Sequence, residues 1–468
     1  MIELRGYQSA TLAKVREAYR AGCRAPLLVA PTGSGKTTIF SFAASQAAAK
    51  GNSTLILGHR AELIRQTSAT LDRFGVAHGL IVPGAEMTDA LVQVASVQTL
   101  TRRLARLDWA PDFIVVDECH HATRDTGHGA ILAHYPKARI LGCTATPARL
   151  DGQGLGVAVG GFFDALVLGP TVRELVEQGH LSRPVVYAPP GRPDLSGIRS
   201  RAGDYDRAAL AGAVDKPRII GNTIEHYARL AAGAPAIAFC VSVAHAEHVA
   251  EAFRLAGYQA ASIDGTLSDS DRRQRIDDLG AGRLHLLCSC DLVGEGVDVP
   301  IVAAALLLRP TQSLSLHLQQ VGRCLRPYPG KDRALVLDHA GNTHRHGLPD
   351  AEREWDLASE KSRKAKHKRP SIRECPACYA THHPAPCCPC CGFCYPVQAR
   401  EVEEVAGELT EIQRTEARLI ARREQGQAKS LGELRALAAK RGYRHGWAEA
   451  IYRARQGRAS TPRTWRGL

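Results

Sequence analysis

An octapeptide near the start of the chain combines two glycines, a lysine and a threonine at a spacing suited to holding phosphate groups. It consists of Ala30, Pro31, Thr32, Gly33, Ser34, Gly35, Lys36 and Thr37. Glycines let the backbone curl so that its N–H groups point at an anion, a lysine ammonium reaches the terminal phosphate oxygens, and a threonine hydroxyl can bind Mg²⁺. Apolar residues 27–29 precede the octapeptide and Ala-rich residues 43–49 follow it. We therefore predict a phosphate-binding loop between a strand and a helix, with Ala30 where this motif usually has glycine.

An acidic pair, Asp117 and Glu118, follows the apolar residues 113–116. In an open α/β sheet this strand would end beside the phosphate-binding loop, where Asp117 can hold Mg²⁺ directly or through water. An acidic pair at the end of a strand is more often part of a turn or a helix cap than of a catalytic site. Because the phosphate-binding loop lies upstream, we favour a catalytic role for the pair.

Two arginines, Arg323 and Arg326, could supply the positive charge that phosphoryl transfer requires. The transition state spreads negative charge over the γ-phosphate oxygens, and an inserted arginine accelerates the reaction by about 10³ to 10⁵. Their spacing places both on one face if residues 313–325 form a helix, with Gln319 a further turn back. The alternative is an exposed arginine pair without a role.

Short apolar runs alternate with helical patterns over the first 345 residues, which is typical of parallel sheets flanked by helices. A first series of predicted strands covers residues 54–58, 91–95, 113–116 and 140–143, and a second series covers residues 236–241, 260–263, 284–288, 302–308 and 334–337. We therefore predict the α/β class, with two parallel-sheet domains in tandem. Since the phosphate-binding loop lies in the first domain and the arginine pair in the second, hydrolysis would require the domains to close.

Composition divides the chain into segments beyond these two domains. With 468 residues, 44% of them hydrophobic, the chain is long enough for roughly three domains with cores of their own. The predicted segments are a first domain at 1–169, a Gly- and Pro-rich linker at 170–200, a second domain at 201–345, a basic linker at 346–372, a cysteine-rich module at 373–396 and a basic helical tail at 397–468. Nothing resembles a secretion signal or a membrane span, so we expect a cytoplasmic protein with no membrane contact.

Seven of the 14 cysteines crowd between Cys375 and Cys394, whereas the other seven are scattered through the first 360 residues. The scattered set is typical of reduced core residues. In the crowded set, Cys375 and Cys378 form one Cys-Pro-x-Cys knuckle, and Cys388 and Cys391 form a second. Together they predict a tetrahedral Cys₄ site, for which zinc is the expected ion. Four protein ligands leave no open position, so its role would be structural.

Other ligand sets fit the same region. Two further cysteine pairs have the Cys-x-x-Cys spacing, and two histidines could each replace a thiolate: Cys387 with Cys390, Cys391 with Cys394, His382 and His383. We favour Cys388 and Cys391 because Gly392 follows them, and glycine allows the positive-φ turn that such knuckles use. A redox or disulfide cluster is the alternative to a metal site.

The charge of the chain is concentrated at its end. Net charge is +13, and residues 361–468 carry 22 lysines and arginines against 10 acidic residues, which leaves 38 against 37 in the rest. A basic tail on a nearly neutral body predicts a polyanion partner, most plainly nucleic acid. The alternative is a solvated tail that aids solubility. Tyr443 and Trp447, placed among arginines, could stack on bases or simply staple two helices together.

An ordered series of motifs makes residues 3 to about 345 similar to superfamily 2 helicases of the DEAD/DEAH-box kind. The motifs lie at residues 4–8, 30–37, 59–63, 96–100, 117–120, 144–147, 291–300 and 319–326. Within that superfamily, residues 309–316, residues 337–342 and the cysteine-rich tail resemble the bacterial RadD (YejH) type. The resemblance implies two RecA-like domains that bind ATP and Mg²⁺ and act on nucleic acid.

The resemblance also assigns roles to individual residues. It implies that Glu118 orients and deprotonates the attacking water, and that Thr144 and Thr146 couple the nucleotide to the domain interface. Catalysis is implied for Lys36, Asp117, Glu118, Arg323 and Arg326. Nucleotide binding is implied for Arg5, Gln8, Thr32, Gly33, Ser34, Gly35, Lys36, Thr37, Glu295, Asp298 and Gln319, and Mg²⁺ binding for Thr37 and Asp117. Contact with nucleic acid is implied for Arg60, Ser96, Thr99 and Thr266.

The RadD likeness further implies an ATP-dependent DNA helicase or translocase. It favours DNA over RNA, a role in repair or recombination, a repair protein as a further partner, and a monomer. Two alternatives remain. One is an ATP-gated nucleic-acid-binding adaptor, and the other is the translocase component of a restriction-like defence system, whose nuclease would lie on a partner.

Overall fold

The computed structural model describes residues 3–85, 87–149, 151–189, 193–201, 203–290, 298–358, 371–396 and 410–458. The chain divides into two compact units, residues 1–395 and 396–468. The first unit holds two α/β lobes. Lobe 1 is built around residues 3–168, and lobe 2 around residues 172–346 together with 371–395.

Lobe 1 is a parallel sheet covered by helices on both faces. Its strands are β1 (Pro26–Val29), β2 (Thr54–Gly58), β3 (His78–Ile81), β4 (Val92–Ser96), β5 (Phe113–Asp117), β6 (Arg139–Thr144) and β7 (Ala165–Leu168). All their pairings are parallel, in the order β3-β4-β2-β5-β6-β1-β7. Its helices are α1 (Gly6–Arg20), α2 (Lys36–Ala48), α3 (Ala61–Arg73), α4 (Val97–Arg103) and α5 (Gly127–His134).

The apolar runs of lobe 1 explain why the sheet is buried on both sides. Successive strand residues point to opposite faces. Leu27 accordingly packs in one hydrophobic cluster and Leu28 in another, and the same division separates Leu55 from Ile56. A parallel sheet with two covered faces needs continuous apolar strands instead of alternating ones, and this is the pattern seen in the sequence.

Lobe 2 is a second, larger sheet. Its helices are α6 (Val172–Glu177), α7 (Arg207–Val214), α8 (Pro217–Leu230), α9 (Val243–Leu255), α10 (Asp269–Gly280), α11 (Leu314–Gly322) and α12 (Asn342–His346). Its strands are β8 (Arg183–Tyr187), β9 (Ser200–Arg201), β10 (Asp204–Tyr205), β11 (Ala236–Phe239), β12 (Ala260–Ile263), β13 (Leu286–Ser289), β14 (Ala304–Leu307), β15 (Arg333–Asp338), β16 (Arg373–Glu374) and β17 (Ala380–His382).

Eight of these strands form one sheet in the order β12-β13-β11-β14-β15-β8-β17-β16, while β9 and β10 form a separate hairpin. The first six are parallel, and β17 and β16 add an antiparallel edge. The prediction of two parallel-sheet α/β domains in tandem is thereby confirmed, and each of the nine predicted strands overlaps an observed one.

Three predicted boundaries differ from the structure. The predicted linker at 170–200 supplies α6 and the strand β8, which pairs with β15 inside the second sheet. The predicted module at 373–396 is not separate from lobe 2, because β17 pairs with β8. The first part of the predicted linker at 346–372 is also packed, as described below. In all three cases the glycine, proline and charged residues are typical of a linker. The short elements they contain are recognisable only from partners that are distant in sequence.

The second unit contains α13 (Thr410–Gln427), α14 (Leu431–Arg441) and α15 (Trp447–Arg458). Ser430 accepts a hydrogen bond from Glu433 N at the start of α14, and Gly442, with φ of 65°, ends this helix. The helical tail predicted from residues 397–468 is therefore present over 410–458. None of the helices in the described ranges is both long and apolar enough to cross a membrane.

Candidate functional site

Strand order brings the predicted nucleotide-binding residues of lobe 1 to one place. The phosphate-binding loop follows β1, the acidic pair lies at the end of β5, and Thr144 ends β6, which lies between β1 and β5 in the sheet. Because all three strands are parallel, these segments emerge at the same edge. Arg60 follows β2 and Ser96 ends β4, two neighbouring strands farther along this edge. The predicted nucleotide-binding segments therefore follow β1, β5 and β6, whereas the predicted nucleic-acid contacts of lobe 1 lie at β2 and β4.

The phosphate-binding loop has the backbone that its glycines predict. Gly33 and Gly35 adopt φ of 87° and 76°, a left-handed conformation that other residues seldom adopt. Gly35 precedes α2, so Lys36 and Thr37 form the first turn of that helix. Lys36 Nζ donates to Ala30 O at 3.3 Å. The loop therefore presents helix N–H groups, an ammonium and a hydroxyl around one point, as an anion site requires.

Two residues in the first turn of α1 contact this loop. Tyr7 Oη donates to Ser34 O at 2.9 Å, and Gln8 Nε2 lies 3.4 Å from the same oxygen. Gln8 Oε1 in turn accepts from Arg5 N at 3.0 Å. Gln8, predicted to contact the nucleotide, is only 5% exposed and braces the loop backbone. Tyr7 was not among the predicted site residues, although its ring also lies 4.9 Å from that of His180.

The acidic pair is buried and locally constrained. Asp117 is 5% and Glu118 7% exposed, and Glu118 has a left-handed φ of 47°. Glu118 N donates to Asp117 Oδ1 at 3.0 Å. His120 Nδ1 lies 3.4 Å from Glu118 Oε2 and 3.1 Å from Thr144 Oγ1. A non-glycine residue held at positive φ is unusual, and such strain is concentrated at functional sites.

A chain of hydroxyl groups leads from this pair into lobe 2. Thr144 Oγ1 donates to Thr146 O at 2.9 Å, so its contact with His120 requires the imidazole proton on Nδ1. Thr146 Oγ1 donates to Ser315 Oγ at 2.6 Å. Both residues of this last contact are buried, and Ser315 lies on α11. These hydrogen bonds connect Thr146 to lobe 2 through Ser315, which the sequence did not indicate, and the coupling role of Thr144 and Thr146 stays a prediction.

Lobe 2 meets the phosphate-binding loop directly. A Cβ built on Gly322 would lie 2.4 Å from Thr32 Cβ, so only glycine fits at that point. A Cβ built on Gly33 would lie 3.7 Å from Arg326 Cγ, which places the arginine stem against the loop. Arg326 contacts the Asp298 carboxylate, and burial lowers the pKa of its guanidinium to about 10. The guanidinium remains charged at neutral pH, as a phosphate partner must.

The predicted helix over residues 313–325 is shorter than expected. Ser313 caps it, it ends at Gly322, and Arg323 is its C-cap residue. Arg326 lies in the following turn, so the two arginines do not share a helix face. Gln319 is 3% exposed on α11. The turn after Gly322, and not helical spacing, brings this segment to the loop. Glu295, predicted to sense the nucleotide, lies outside the described residues.

A strap from lobe 2 back to lobe 1 was missed by sequence reasoning. We use this name for residues 348–358, which belong to the segment predicted as a basic linker. Leu348 and Ala351 pack with the lobe 2 core, while Trp355 and Leu357 pack with the lobe 1 core. Gly156 N donates to Leu357 O at 3.0 Å.

One buried arginine shapes this strap. The Arg353 guanidinium donates to four carbonyl oxygens, those of His346, Leu348, Pro349 and Ala351, at 2.8–3.3 Å. A cavity of about 130 Å³ lies between the strap, Pro31 and Thr32 of the phosphate-binding loop, and Leu318 of α11. The strap therefore encloses one side of the interlobe contact.

The residues predicted to contact nucleic acid lie on both lobes. Arg60 is the N-cap residue of α3, and Ser96 ends β4. Thr99 is 8% exposed on α4, so its hydroxyl is largely withdrawn from solvent. Thr266 follows β12 and bonds through its N–H and hydroxyl to Asp264 Oδ1 at 2.7 and 2.6 Å. These residues are positioned by strand ends in each lobe, and their contacts with nucleic acid stay a prediction.

Four histidines cluster beside the acidic pair. The ring centroids of His120 and His121 lie 4.1 Å apart, those of His59 and His121 4.8 Å, and those of His59 and His128 6.4 Å. Burial, with smaller contributions from His59, His121 and His120, lowers the pKa of His128 to about 3. His128 is 4% exposed and stays neutral in the folded protein near pH 7.

The four cysteines favoured from the sequence do converge. The Sγ atoms of Cys375, Cys378, Cys388 and Cys391 all lie within 4.8 Å of one another. The two knuckles are built alike. Tyr379 N donates to Cys375 O and Gly392 N to Cys388 O, each at 2.9 Å, and both donors have positive φ, 61° and 74°. Four sulfur donors in this arrangement fit a tetrahedral zinc ion.

The alternative ligands are engaged elsewhere. Cys387 and Cys394 form a disulfide, so two of the three remaining clustered cysteines are bonded to each other. His382 uses both ring nitrogens, at 2.7 Å from His383 O and 2.7 Å from Tyr395 Oη. His383 Nε2 lies 3.3 Å from Asp350 Oδ1 on the strap. Neither histidine replaces a thiolate here.

The cysteine site is part of the lobe 2 core. Cys375 is fully buried and Cys388 is 3% exposed, and both pack in the hydrophobic cluster that contains β8, β11 and β15 residues. Ala188 N donates to Tyr379 O at 3.1 Å, which extends the pairing of β8 with β17. The site therefore completes one edge of the lobe.

Two family descriptions match separate parts of this architecture. Residues 1–149 match "Type III restriction enzyme, res subunit", and residues 216–328 match "Helicase conserved C-terminal domain". The first match covers the phosphate-binding loop and the acidic pair. The second covers α11 and both arginines.

Related proteins extend over both lobes. A 51.5 kDa protein of a Lactococcus phage (isolate 7-9) is 30% identical over 86% of this chain and 85% of its own length. "Putative ATP-dependent helicase IRC3" of Saccharomyces cerevisiae is 30% identical over 72% of this chain, which spans 51% of the yeast protein.

Solved structures share the fold. A "putative HsdR subunit of a type I restriction enzyme" from Vibrio vulnificus superposes with a TM-score of 0.57 at 21% identity, over 74% of this chain and 66% of that one. Dbp5 of S. cerevisiae, bound to RNA and ADP BeF3, superposes with a TM-score of 0.50 at 16% identity, over 75% and 93%. Fold and site together define a two-lobed nucleoside triphosphatase. The chain belongs to the ATP-dependent helicases of superfamily 2.

Substituting Gly322 should separate the lobes at the phosphate-binding loop. The methyl group of Gly322→Ala would collide with Thr32, and displacement of catalytic groups by about 1 Å can cost about 10²-fold in rate. We expect ATP turnover to fall by up to about that factor. Gly221→Ala, on α8 with nothing near its added methyl, is the matched control and should keep wild-type turnover. Equal turnover in Gly322→Ala would contradict the importance of this contact.

Burial of neutral His128 predicts acid-sensitive stability. The unfolded chain binds a proton there below the ordinary pKa of about 6.5, whereas the folded chain does not until about pH 3. Stability is therefore lost as pH falls through 6.5, by about 1.4 kcal/mol per pH unit from this group. The free energy of unfolding can be measured with urea at several pH values between 6.5 and 5. Its dependence on pH should be shallower by that amount in His128→Asn than in the wild type.

The control for this slope is His134→Asn, at the exposed end of the same helix. It should retain the wild-type dependence on pH. If the free energy of unfolding depends on pH equally in the wild type and in His128→Asn, His128 is not the group that causes the loss of stability in acid.

Proposed function

We propose that the chain is a DNA-stimulated ATPase that uses opening and closing of the two lobes to translocate along or remodel DNA. The observation that carries the proposal is the contact of Gly322 and Arg326 with the phosphate-binding loop. Because the stem of Arg326 lies against the loop from which Lys36 would meet a triphosphate, this contact supports a role for a lobe 2 guanidinium in the same site. Hydrolysis in such a site requires both lobes, so nucleotide state and lobe position are linked.

The residues of the loop would bind and orient ATP. N–H groups of the loop and the first turn of α2 donate to phosphate oxygens, and the Lys36 ammonium reaches the β- and γ-phosphates. Thr37 and Asp117 would hold Mg²⁺, which supplies charge neutralisation at the β- and γ-oxygens when bound. Gln8, with Arg5, would set the position of the base by bracing the loop from its other side.

Glu118 would accept the proton of the attacking water. Its left-handed backbone and the nearby His120 fix the carboxylate at the end of β5, which favours a defined in-line position for that water. Arg323 and Arg326 would then stabilise charge on the γ-phosphate oxygens. Loss of the γ-phosphate removes their partner, which releases lobe 2 from the loop.

The coupling to DNA would run through two features. The hydroxyl chain from Thr144 and Thr146 to Ser315 connects the acidic pair to α11. Arg60 and Ser96 in lobe 1 and Thr266 in lobe 2 lie at the ends of β-strands. A DNA strand could run across both lobes there, held through contacts to its sugar-phosphate backbone. Backbone contacts do not depend on sequence, which suits translocation. Repair or recombination is the pathway we propose on the RadD resemblance, with DNA favoured over RNA.

A second candidate has one observation in its favour. Residues 1–149 match the family named for the res subunit of type III restriction enzymes. This favours a translocase of a restriction-like system that moves along intact duplex. The two candidates differ in whether strands separate, so a forked substrate and a triplex-displacement substrate distinguish them.

ATP turnover should be stimulated by DNA. We would measure it with single-stranded, duplex and forked DNA and with RNA. A rise of tenfold or more with DNA is expected, on the order of what closing a complete site provides. Lys36→Ala should abolish turnover, because the ammonium that meets the β- and γ-phosphates is lost. Lys50→Ala, an exposed lysine just after α2, removes the same charge and should leave turnover unchanged.

Stimulation by no polynucleotide would reject the motor proposal and favour the ATP-gated adaptor. Displacement of a triplex strand without fork unwinding would favour the restriction-like candidate. Fork unwinding would favour the repair helicase.

We also propose that the Cys₄ group binds one structural zinc ion. Cys375, Cys378, Cys388 and Cys391 would hold it as thiolates, with no position left for a reactant. Because Cys375 and Cys388 lie in the lobe 2 core, the ion would stabilise the sheet edge formed by β8 and β17.

Zinc removal should destabilise lobe 2. A chelator, or Cys375→Ser, should lower the unfolding midpoint by about 10 °C, since about 1 kcal/mol moves the midpoint of a domain this size by about 2–4 °C. Elemental analysis should find one zinc per wild-type chain and none in Cys375→Ser. Cys390→Ser, an exposed cysteine beside the site, should keep both metal and midpoint. Protein purified under reducing conditions without zinc, yet insensitive to chelator, would exclude a zinc site.

A further inference from the structure

The second unit carries an excess of positive charge that its own acids do not neutralise. We call residues 419–455, whose side chains are described, the tail surface. It contains nine arginines and lysines against three glutamates. Whether this excess is available to a partner depends on which of these charges are already paired.

Each of the three glutamates is held within the unit. Glu424 bonds to Arg441 and Lys440, and Glu449 bonds to Arg435. Glu433 accepts from Lys429 N and Ser430 N in the cap of α14. Accordingly the pKa of each carboxyl is lowered, first by Arg441 for Glu424, by Ser430 N–H for Glu433 and by Arg435 for Glu449. The three carboxylates are therefore already engaged in contacts within and between the three helices.

Four of the nine cations are engaged within the unit, Arg435 and Lys440 in the ion pairs above and two more as follows. Arg441 is tied to Glu424, and Arg455 donates to Ala428 O and Gln425 O at the end of α13. Five other cations are exposed, and none of them forms an ion pair within the described tail surface: Arg422, Arg423, Lys429, Arg444 and Arg453. They give the tail surface positive charges that form no ion pair with its three described glutamates.

The loop between α14 and α15 adds an aromatic pair to this charge. Gly442 and Gly446 have left-handed φ of 65° and 87°, and they bracket a short turn. The turn sets the rings of Tyr443 and Trp447 4.5 Å apart, and Tyr443 remains 38% exposed. The ring contact thus joins the loop after α14 to the start of α15, and Tyr443 remains partly exposed to solvent.

Charge and ring lie at one end of the unit. Glu424 contacts both Lys440 and Arg441, the last residues of α14. The loop that starts at Gly442 follows these two residues directly, and Arg422 and Arg423 immediately precede Glu424 on α13. Arg444 lies within that loop next to the exposed tyrosine. Guanidinium groups around an exposed aromatic ring match a phosphodiester backbone with unpaired bases, whereas a duplex offers no free base face.

We propose that this end of the second unit is an accessory binding surface for single-stranded nucleic acid. Arg422, Arg423 and Arg444 contact phosphates, and Tyr443, supported by Trp447, stacks on a base. The proposal rests on the proposed function only in taking nucleic acid as the substrate. Binding there needs neither ATP nor lobe closure, so the surface retains a strand while the lobes release it.

The test uses the full chain without nucleotide and a fluorescein-labelled (dT)20 strand, with binding followed by anisotropy over a series of salt concentrations. Replacing Arg422, Arg423 and Arg444 together by glutamine should weaken binding about tenfold and reduce the slope of log affinity against log salt by about 2, since each phosphate contact contributes about 0.7. Tyr443→Ala should weaken binding about fivefold, while Tyr443→Phe keeps it. ATP turnover without nucleic acid should be unchanged in all variants.

Arg435→Gln is the matched charge control, because its guanidinium is already paired with Glu449. It should bind as wild type does. Wild-type affinity and slope in the triple variant would overturn the proposal and point to an acidic protein partner instead. Equal binding and equal loss with a duplex would overturn the single-strand assignment. If the strand binds as expected but never stimulates turnover, the motor proposal fails while this surface stands.

Discussion

The close approach of Gly322 to Thr32 is the constraint on which the catalytic arrangement depends. A single hydrogen in place of a side chain lets α11 end against the phosphate-binding loop, and the turn that follows then carries Arg326 to Gly33. The contact joins groups that are almost three hundred residues apart in sequence. It also aligns α11 so that Ser315 meets Thr146, which ties the interface to the acidic pair. The proposed link between hydrolysis and lobe position therefore depends on these few atoms.

Much of the fold could be predicted because its signals are local. Apolar runs fixed the strands of both sheets, and the glycines of residues 30–37 predicted the left-handed turns observed at Gly33 and Gly35. Spacing within the cysteine-rich segment, together with Gly392, selected the four sulfurs that converge. These features depend on neighbours in sequence, where residue type and conformation are closely linked.

The remainder depends on partners that a single sequence does not reveal. Strand β8 lies in a stretch whose glycines and prolines resemble a linker, and only its pairing with β15 makes it part of a sheet. The strap looks like a charged connection because the role of Arg353 is to bind carbonyl groups of its own segment. The early end of α11 at Gly322 likewise follows from a contact with the other lobe. Helical spacing alone could not anticipate it.

The strap has a consequence for how the lobes can move. Within the described residues, the chain crosses between the lobes at residues 168–172 and at residues 349–355, and both of these crossings border the same cavity. Two adjacent crossings define a hinge axis. They allow the lobes to rotate about the line that joins them, and they resist sliding or separation of the lobes. Opening would then occur on the side away from the strap, and every cycle would return Arg326 to the same place.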